Sequence, residues 1–476
     1  MRFRSYTFSP TNLFFLVATI ILLCHKVEAE TSYISDFIDP NYILSQEFPF
    51  HTYPAQVTIV KWARQFSQRG PWSVTDKPVT APSGDKHDYM SWAPYAWPDC
   101  STVGNTTELT DQEVWTKCPY GLRDGVFNPD GRLINDVGSF DDLTNAVLYN
   151  SIAYVITGGD SNMFSRNAVR FIKKWFIDSD TKMNPSLTYA QIMRGPNGQV
   201  GRHTGILDLK GFVRLATAIE VFRKSNNTDY TPQIDSAMVD WCRNYTTWLE
   251  TNPTALKERA ALNNHGTFYH VQLASLKVII NDYQGAKQVI ESFFNGAFMS
   301  QIEENGEQPL EAARTRPYHY HTYNIAAIIT LARIGQYVDP NYNVWDRTTS
   351  KGGTLKKAFD FALALDPAVR NETSARAEMY PCVAAMGSVF GDPDGKLQKF
   401  LDDSSPEYAS EPHFLWNQPF AGGPTATSAA DRARMTRRVS SGAPNTRTRV
   451  PVESWWWTYA AMLWVALGVV IGTVTA

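Results

Sequence analysis

A chain of 476 residues carrying 44 Lys and Arg against 47 Asp and Glu has a net charge of −3. It offers no global basic field of the kind that phosphate-backbone binding requires, which excludes nucleic acid as an expected partner. The length exceeds a typical domain of roughly 100–200 residues, but one large helical domain can absorb most of it. Fourteen Trp and 22 Tyr permit stacking on sugar rings as readily as they fill a large core.

In chain order, Arg2 and Arg4 precede the apolar run 13–24 (LFFLVATIILLC), and Val27-Glu28-Ala29 places small residues where a signal peptidase cuts. Residues 1–29 therefore read as a secretory signal, which predicts an oxidising compartment. Cys24 leaves with it. Of the four cysteines that remain, Cys100–Cys118 is the favoured pair because it closes a short polar loop, and Cys242–Cys382 then follows by elimination; neither has zinc-finger spacing. Sequons at Asn105, Asn226, Asn244 and Asn371 fit export.

The stretch 72–132 is poor in helix signals and rich in Pro, Gly, Asp and aromatics, with KHDYMSWAPYAWPDC followed by CPYGLRDGVFNPDG. Its aromatics argue against disorder, and a long aromatic-rich loop covering a groove is expected. Beyond it, apolar residues recur near i, i+3, i+4 and i+7 in 140–156, 168–176, 205–222, 234–249, 268–280, 286–298, 323–337 and 355–365. No comparable series of alternating strands appears. The reading is a mainly α fold of stacked helical hairpins, a helical array or a closed (α/α) toroid.

One folded domain is expected over 30–420, its packing ending near Trp416, followed by a Ser/Thr/Arg-rich linker over 421–454. The tail 455–476 is 22 residues without a charge, long enough to cross a bilayer. As a retained helix it would leave Arg432, Arg434, Arg437, Arg438, Arg447 and Arg449 outside, against the positive-inside tendency. Small residues 440–443, a polar spacer and a terminal apolar tail match a GPI signal better. Either way a monomer at the cell surface, held by its C-terminus, is expected.

Two polar clusters stand ahead of apolar helices. The first is NNHGTFYH (263–270) and the second EAARTRPYHYHTYN (311–324). Together they supply amide, imidazole, guanidinium and phenol, the set that β-elimination on a uronic acid needs. Removing the C5 proton builds charge onto an anionic carboxylate, so Asn and Arg donors on that carboxylate stabilise the transition state. A His or Tyr takes the proton, and a Tyr hydroxyl protonates the departing O4. No cofactor is needed. His319 and His321 are two apart, diverge on a helix and lack a completing carboxylate, so no metal is expected. The bland reading of His265 is a helix-start or buried histidine, and that of Asn263 a cap.

The chain resembles the alginate lyase family of helical-toroid polysaccharide lyases through HDYMSWAPYAWPD, MNPSLTYAQ (183–191), TGILDL (204–209), NNHGTFY and RTRPYHYHTYN, in that order over 86–335. The resemblance implies that Asn264 and His265 are the active-site Asn-His pair and Tyr320 the catalytic tyrosine, with Tyr318 and Tyr323 able to exchange with it. Arg314 is the expected carboxylate-binding arginine and Arg316 its rival. Tyr89, Tyr95 and Trp97 would contact substrate from the covering loop, and Tyr189 and Gln191 would line a subsite. The implied substrate is an anionic polysaccharide. His270 stands where many relatives have Asp, which leaves the preferred sugar open. The competing readings are a glycoside hydrolase on a similar toroid, with Asp88, Asp99, Asp208 and Glu311 as candidate carboxylates, and a non-catalytic surface polysaccharide binder.

Overall fold

The computed structural model describes residues 36–104, 108–158, 162–405 and 407–417; the expected signal, linker and tail lie outside them, as does Asn105. Among the described residues, fifteen α-helices and four short strands are present. The chain opens with α1 (Pro40–Ser45) and α2 (Tyr53–Arg69), and α3 (Asp111–Lys117) lies in the covering segment. Next come α4 (Asp136–Ile156), α5 (Asn162–Ile172), α6 (Phe212–Lys224), α7 (Pro232–Thr251), α8 (Pro253–Arg259) and α9 (Asn264–Ile279). The last six are α10 (Tyr283–Asn295), α11 (Pro309–Ala312), α12 (Pro317–Val338), α13 (Leu355–Ala364), α14 (Tyr380–Phe390) and α15 (Lys396–Ser404).

Two kinds of helix alternate. In α9 every residue but His265 and Lys277 is buried, and α4, α6 and α12 are buried around most of their circumference. A helix apolar on all sides must be surrounded by others. The helices between them, α7, α10, α13 and α15, bury one stripe and expose a polar face. Contacts follow the alternation: α4 packs on α2, α5 and α6; α9 on α6, α7, α10 and α12; α12 on α13 and α14. The turns Tyr408–Ser410 and Pro412–Phe414 then return to α2, closing an (α/α) toroid. Local chemistry sets the starts: Thr231 caps α7 ahead of Pro232, Asp282 caps α10 and Thr354 caps α13.

The covering segment is more ordered than a plain loop. Strands β2 (Ala96–Pro98) and β3 (Tyr120–Leu122) pair antiparallel, and the Cys100–Cys118 disulfide closes the excursion between them. Strand β1 (Met90–Trp92) pairs parallel with β4 (Tyr189–Ile192). Arg194 pins both pieces, its guanidinium 4.2 Å from the Trp92 ring centre, 4.6 Å from that of Tyr120 and 3.0 Å from Asp130. Beneath, the Met90 N–H donates to Asp136 at the start of α4, and Lys77 pairs with the same carboxylate at 3.3 Å.

The second expected cysteine pair does not form. Cys242 lies in α7 and Cys382 in α14, each buried as a free thiol in its own packing layer, and burial pushes both thiols up. They behave as small apolar residues. Of the sequons, Asn226, Asn244 and Asn371 are exposed.

Candidate active site

The site is assembled at the N-terminal ends of α9 and α12. Asn263 occupies the N-cap position of α9 but makes no side-chain cap bond. The cap comes from elsewhere: Glu311, on α11, accepts the Asn264 backbone N–H at 2.7 Å and its side-chain amide at 2.6 Å. An anionic group suits the positive end of a helix. Burial leads in raising the Glu311 carboxyl above its ordinary range, against the pull of these two hydrogen bonds. Gly266 is required next to His265, since a Cβ there would lie 2.0 Å from the Ala261 carbonyl oxygen.

His265, the residue of this first turn left partly exposed, turns its Nδ1 to Glu258 at 2.5 Å. The other oxygen of Glu258 receives Nδ1 of His203, also at 2.5 Å. Glu258 is fully buried. Burial alone would raise its carboxyl, but the hydrogen bonds from His203 and then His265 outweigh it, and the group is held below its ordinary value. An ionised carboxylate only accepts, so both rings donate from Nδ1 and each keeps Nε2 for a ligand. Neither His203 nor Glu258 was expected from sequence. The TGILDL motif begins one residue after His203, and Glu258 sits in the unremarkable helix PTALKER.

On the other side, Arg314 makes a fork to Asp124 of the covering segment, Nε at 3.1 Å and Nη2 at 2.6 Å. Nη2 also donates to the Tyr320 hydroxyl at 2.7 Å, with the guanidinium 3.7 Å from the ring centre. Arg314 holds Asp124 down to about 2. Thr315 adds its backbone N–H and hydroxyl to the same carboxylate. The Tyr320 hydroxyl lies 3.4 Å from that of Tyr95. Burial, then this neighbour, pushes the Tyr320 phenol above its ordinary value against the pull of Arg314, so it keeps its proton near neutral pH.

Comparison with known proteins gives this constellation a context. The alginate lyase family model matches residues 73–374, more than half of the chain and all of the groups above. The chain belongs to the alginate lyase family. An alginate lyase from Bacteroides ovatus is similar at 28% identity with a TM-score of 0.67, over 77% of this chain and 93% of that one. Alginate lyase A1-III from Sphingomonas species A1 is similar at 14% identity with a TM-score of 0.44, over 77% and 96%. Among curated proteins none matches the chain by sequence. Family and fold make the chain a polysaccharide lyase, a carbon–oxygen lyase that binds polysaccharide.

Within this alginate lyase domain the structure sorts the remaining sequence candidates. Tyr89 is core, 1% exposed, its hydroxyl donating to Asp208 at 3.0 Å; it supports the site from behind and does not face a ligand. Trp97 is half-buried, its indole N–H on the Val126 carbonyl and Arg123 over its ring, so it braces the covering segment. Tyr189 is half-buried, packed on the small apolar cluster that includes Met90, Trp92 and Ile192. Gln191 has a left-handed backbone, φ 51°, and its side chain joins Asp208 and Thr204. Arg316 is half-buried beside Gly125 and makes no ion pair among the described residues, whereas Arg314 touches Tyr320. Tyr318 is buried, its hydroxyl without a hydrogen-bond partner among the described residues, and Tyr323 packs between Phe268 and His319. Tyr320 is therefore the tyrosine that meets the arginine.

His270 faces away from the reaction groups. It is buried, bonded to the Gly266 carbonyl and packed on Phe293, and burial lowers it to about 4. The side chain at this position thus belongs to the packing of α9. The four carboxylates considered for hydrolysis are each engaged separately: Asp88 with Ser83 and Asn184, Asp208 with Tyr89, Ser91 and Gln191, Glu311 with Asn264, and Asp99 as an exposed loop residue. His321 bonds Gln308, and His319 bonds Glu378 at 2.5 Å. No cluster of three metal-ligating side chains occurs among the described residues.

Proposed function

We propose that the chain cleaves a uronate-containing polysaccharide, alginate- or glucuronan-like, by β-elimination, leaving a 4,5-unsaturated uronate at the new non-reducing end. The observation that carries this reading is the Arg314 junction. Its Nε and Nη2 are committed to Asp124 and Tyr320, while Nη1 keeps two N–H groups with no partner among the described residues. A uronate carboxylate received there, beside the remaining amide hydrogen of Asn264, places C5 and O4 next to an imidazole and a phenol.

His265 takes the C5 proton on Nε2, its imidazolium supported by Glu258 as an orienting carboxylate supports a catalytic histidine. The C5 electron pair spreads into the carboxylate, stabilised by Arg314 and Asn264. It then forms the C4–C5 double bond as the C4–O4 bond breaks, and Tyr320 gives its proton to O4. Where the C5 proton and O4 lie on one face of the ring, Tyr320 acts from its deprotonated form, with Arg314 beside the phenolate oxygen: it takes the C5 proton and returns that proton to the departing O4. A glycosidase would need two carboxylates about 5–9.5 Å apart across the groove.

The test is incubation of the purified protein with alginate, glucuronan and other polyuronates while following ultraviolet absorbance of the new double bond. Product with this chromophore is expected. Reducing ends without it would overturn elimination, and binding without either would mark a surface module. Tyr320→Phe is expected to lower kcat by about 10²–10⁴-fold.

We also infer export and surface anchoring of a monomer, on the apolar run after Arg2 and Arg4, the Cys100–Cys118 disulfide and the charge-free tail 455–476. Release from cells by a phosphatidylinositol-specific phospholipase is expected; retention on the membrane would replace the lipid anchor with a spanning helix.

A further inference from the structure

The residue given no part in this scheme, yet built most firmly into the site, is His203. It opens the short 3₁₀ turn His203–Leu209, which lies against β4. The approach is close enough to demand glycine two residues on: a Cβ at Gly205 would lie 2.5 Å from the Ala190 side chain and 2.7 Å from its carbonyl oxygen. On either side of His203 the chain is tied down. The Arg202 N–H donates to the Ala190 carbonyl at 2.9 Å, and the Thr204 hydroxyl donates to Gln191 at 2.8 Å. Glu258 then fixes the ring through Nδ1, leaving its centre 6.5 Å from that of His265.

Charge balance gives the arrangement a direction. Glu258 has no exposed side-chain surface, and its ion-pair partners among the described residues are His203 and His265, with no Lys or Arg. A carboxylate removed from water requires positive compensation. An imidazolium at one of the two rings would supply it. The His203 side chain is 28% exposed against 18% for His265, so His203 is the ring more open to an incoming ligand. Arg202, half-exposed and without an ion pair among the described residues, adds positive field on the same side.

We propose that His203 is a substrate-contacting residue whose Nε2–H receives the carboxylate of the uronate undergoing elimination, leaving the Nε2 of His265 unprotonated to take the C5 proton. The inference rests on the lyase reading above. It also explains why one carboxylate serves two histidines. Before reaction the trio is neutral, and once His265 holds the C5 proton it carries one positive charge, at the moment the substrate carboxylate gains negative charge.

Two substitutions test this, His203→Gln and His203→Ala, with melting temperature as a control for folding. Calorimetric affinity for a saturated oligouronate is expected to fall about tenfold in both, one lost charge-assisted hydrogen bond. On polyuronate, KM is expected to rise at least as much. Wild type is expected to prefer a free polyuronate over its methyl ester, and His203→Gln to lose about tenfold of that preference, a change that a role in merely positioning Glu258 would not produce. Affinity and preference within twofold of wild type in the folded Gln variant would overturn the assignment. If wild-type protein makes no unsaturated product from any polyuronate, the lyase reading fails, and the calorimetric comparison still decides whether His203 binds uronate carboxylates.

Discussion

Glu258 accepts from His203 and His265, and Asp124 from the fork of Arg314, but the Glu258 side chain is 0% exposed and that of Asp124 is 37% exposed. The first belongs to the packed interior between α8, α9 and the turn at His203; the second reaches in from the covering segment to Arg314 and Thr315. Burial makes a carboxylate's hydrogen bonds strong and costly to break, because no water replaces them. An exposed ion pair is screened and exchanges partners readily. The imidazole side is thus preorganised, while the guanidinium side, where the proposal places the substrate carboxylate, is the easier one to rearrange.

This contrast sets the order of the expected effects. Glu258→Gln leaves one histidine without an acceptor and removes the charge that supports an imidazolium. A roughly thousandfold loss in kcat is expected, comparable to removing the carboxylate that orients a catalytic histidine. A loss below tenfold in steady-state assays would mean that packing alone orients the rings.

Next in size is a pH effect on stability. His270, in the packed body of α9, and His321 are both lowered to about 4 by burial. Each is neutral in the fold and gains a proton more readily when unfolded. Their stabilising contribution is therefore complete above about pH 6.5 and lost as pH falls toward 4, up to roughly 3 kcal/mol each. Asp136, raised to about 7 by burial, runs the other way: its contribution is present at low pH and lost as pH rises through about 7. Melting curves of wild type and His270→Gln between pH 6.5 and 4 isolate the histidine share, and the variant is expected to be the less pH-sensitive. Equal slopes would place His270 in solvent.

The smallest effect is expected at the exposed carboxylate. Asp124→Asn should change KM by about three- to tenfold with little loss in kcat, since an exposed pair is worth about 1 kcal/mol or less. Amide hydrogen exchange should quicken in 120–126 and remain unchanged in α9. Faster exchange in both would show that the two sides of the site move together.

Much of the helical frame was legible because periodicity reports burial directly. Helices starting and ending near the expected positions appear at α4, α7, α9, α10 and α13. Among the described residues, seven helices carry no such signal, the longest of them α2, α14 and α15. Pro54 and Pro381 open α2 and α14, and α15 is short and charged, so propensity and pattern pulled apart. The range 205–222 is two pieces, a 3₁₀ turn and α6, with Gly211 between them close against Thr144. Cys100 and Cys118, eighteen residues apart, pair as local loop closure suggested; Cys242 and Cys382 stay apart because their helices bury them separately.

For the site, the order of residues already names the chemical groups available: an amide and an imidazole at 264–265, a guanidinium and a phenol at 314–320, each beside an apolar helix that fixes where it emerges. Their bonding partners come from packing of the folded chain. Glu258 joins residues 55 and 7 positions away, Glu311 caps a helix 47 residues earlier, and Asp124 meets Arg314 across 190 residues. None of these contacts leaves a periodic trace in the chain, because a buried carboxylate chooses its partners by the desolvation it must offset, and the closed ring of helices determines which donors are within reach.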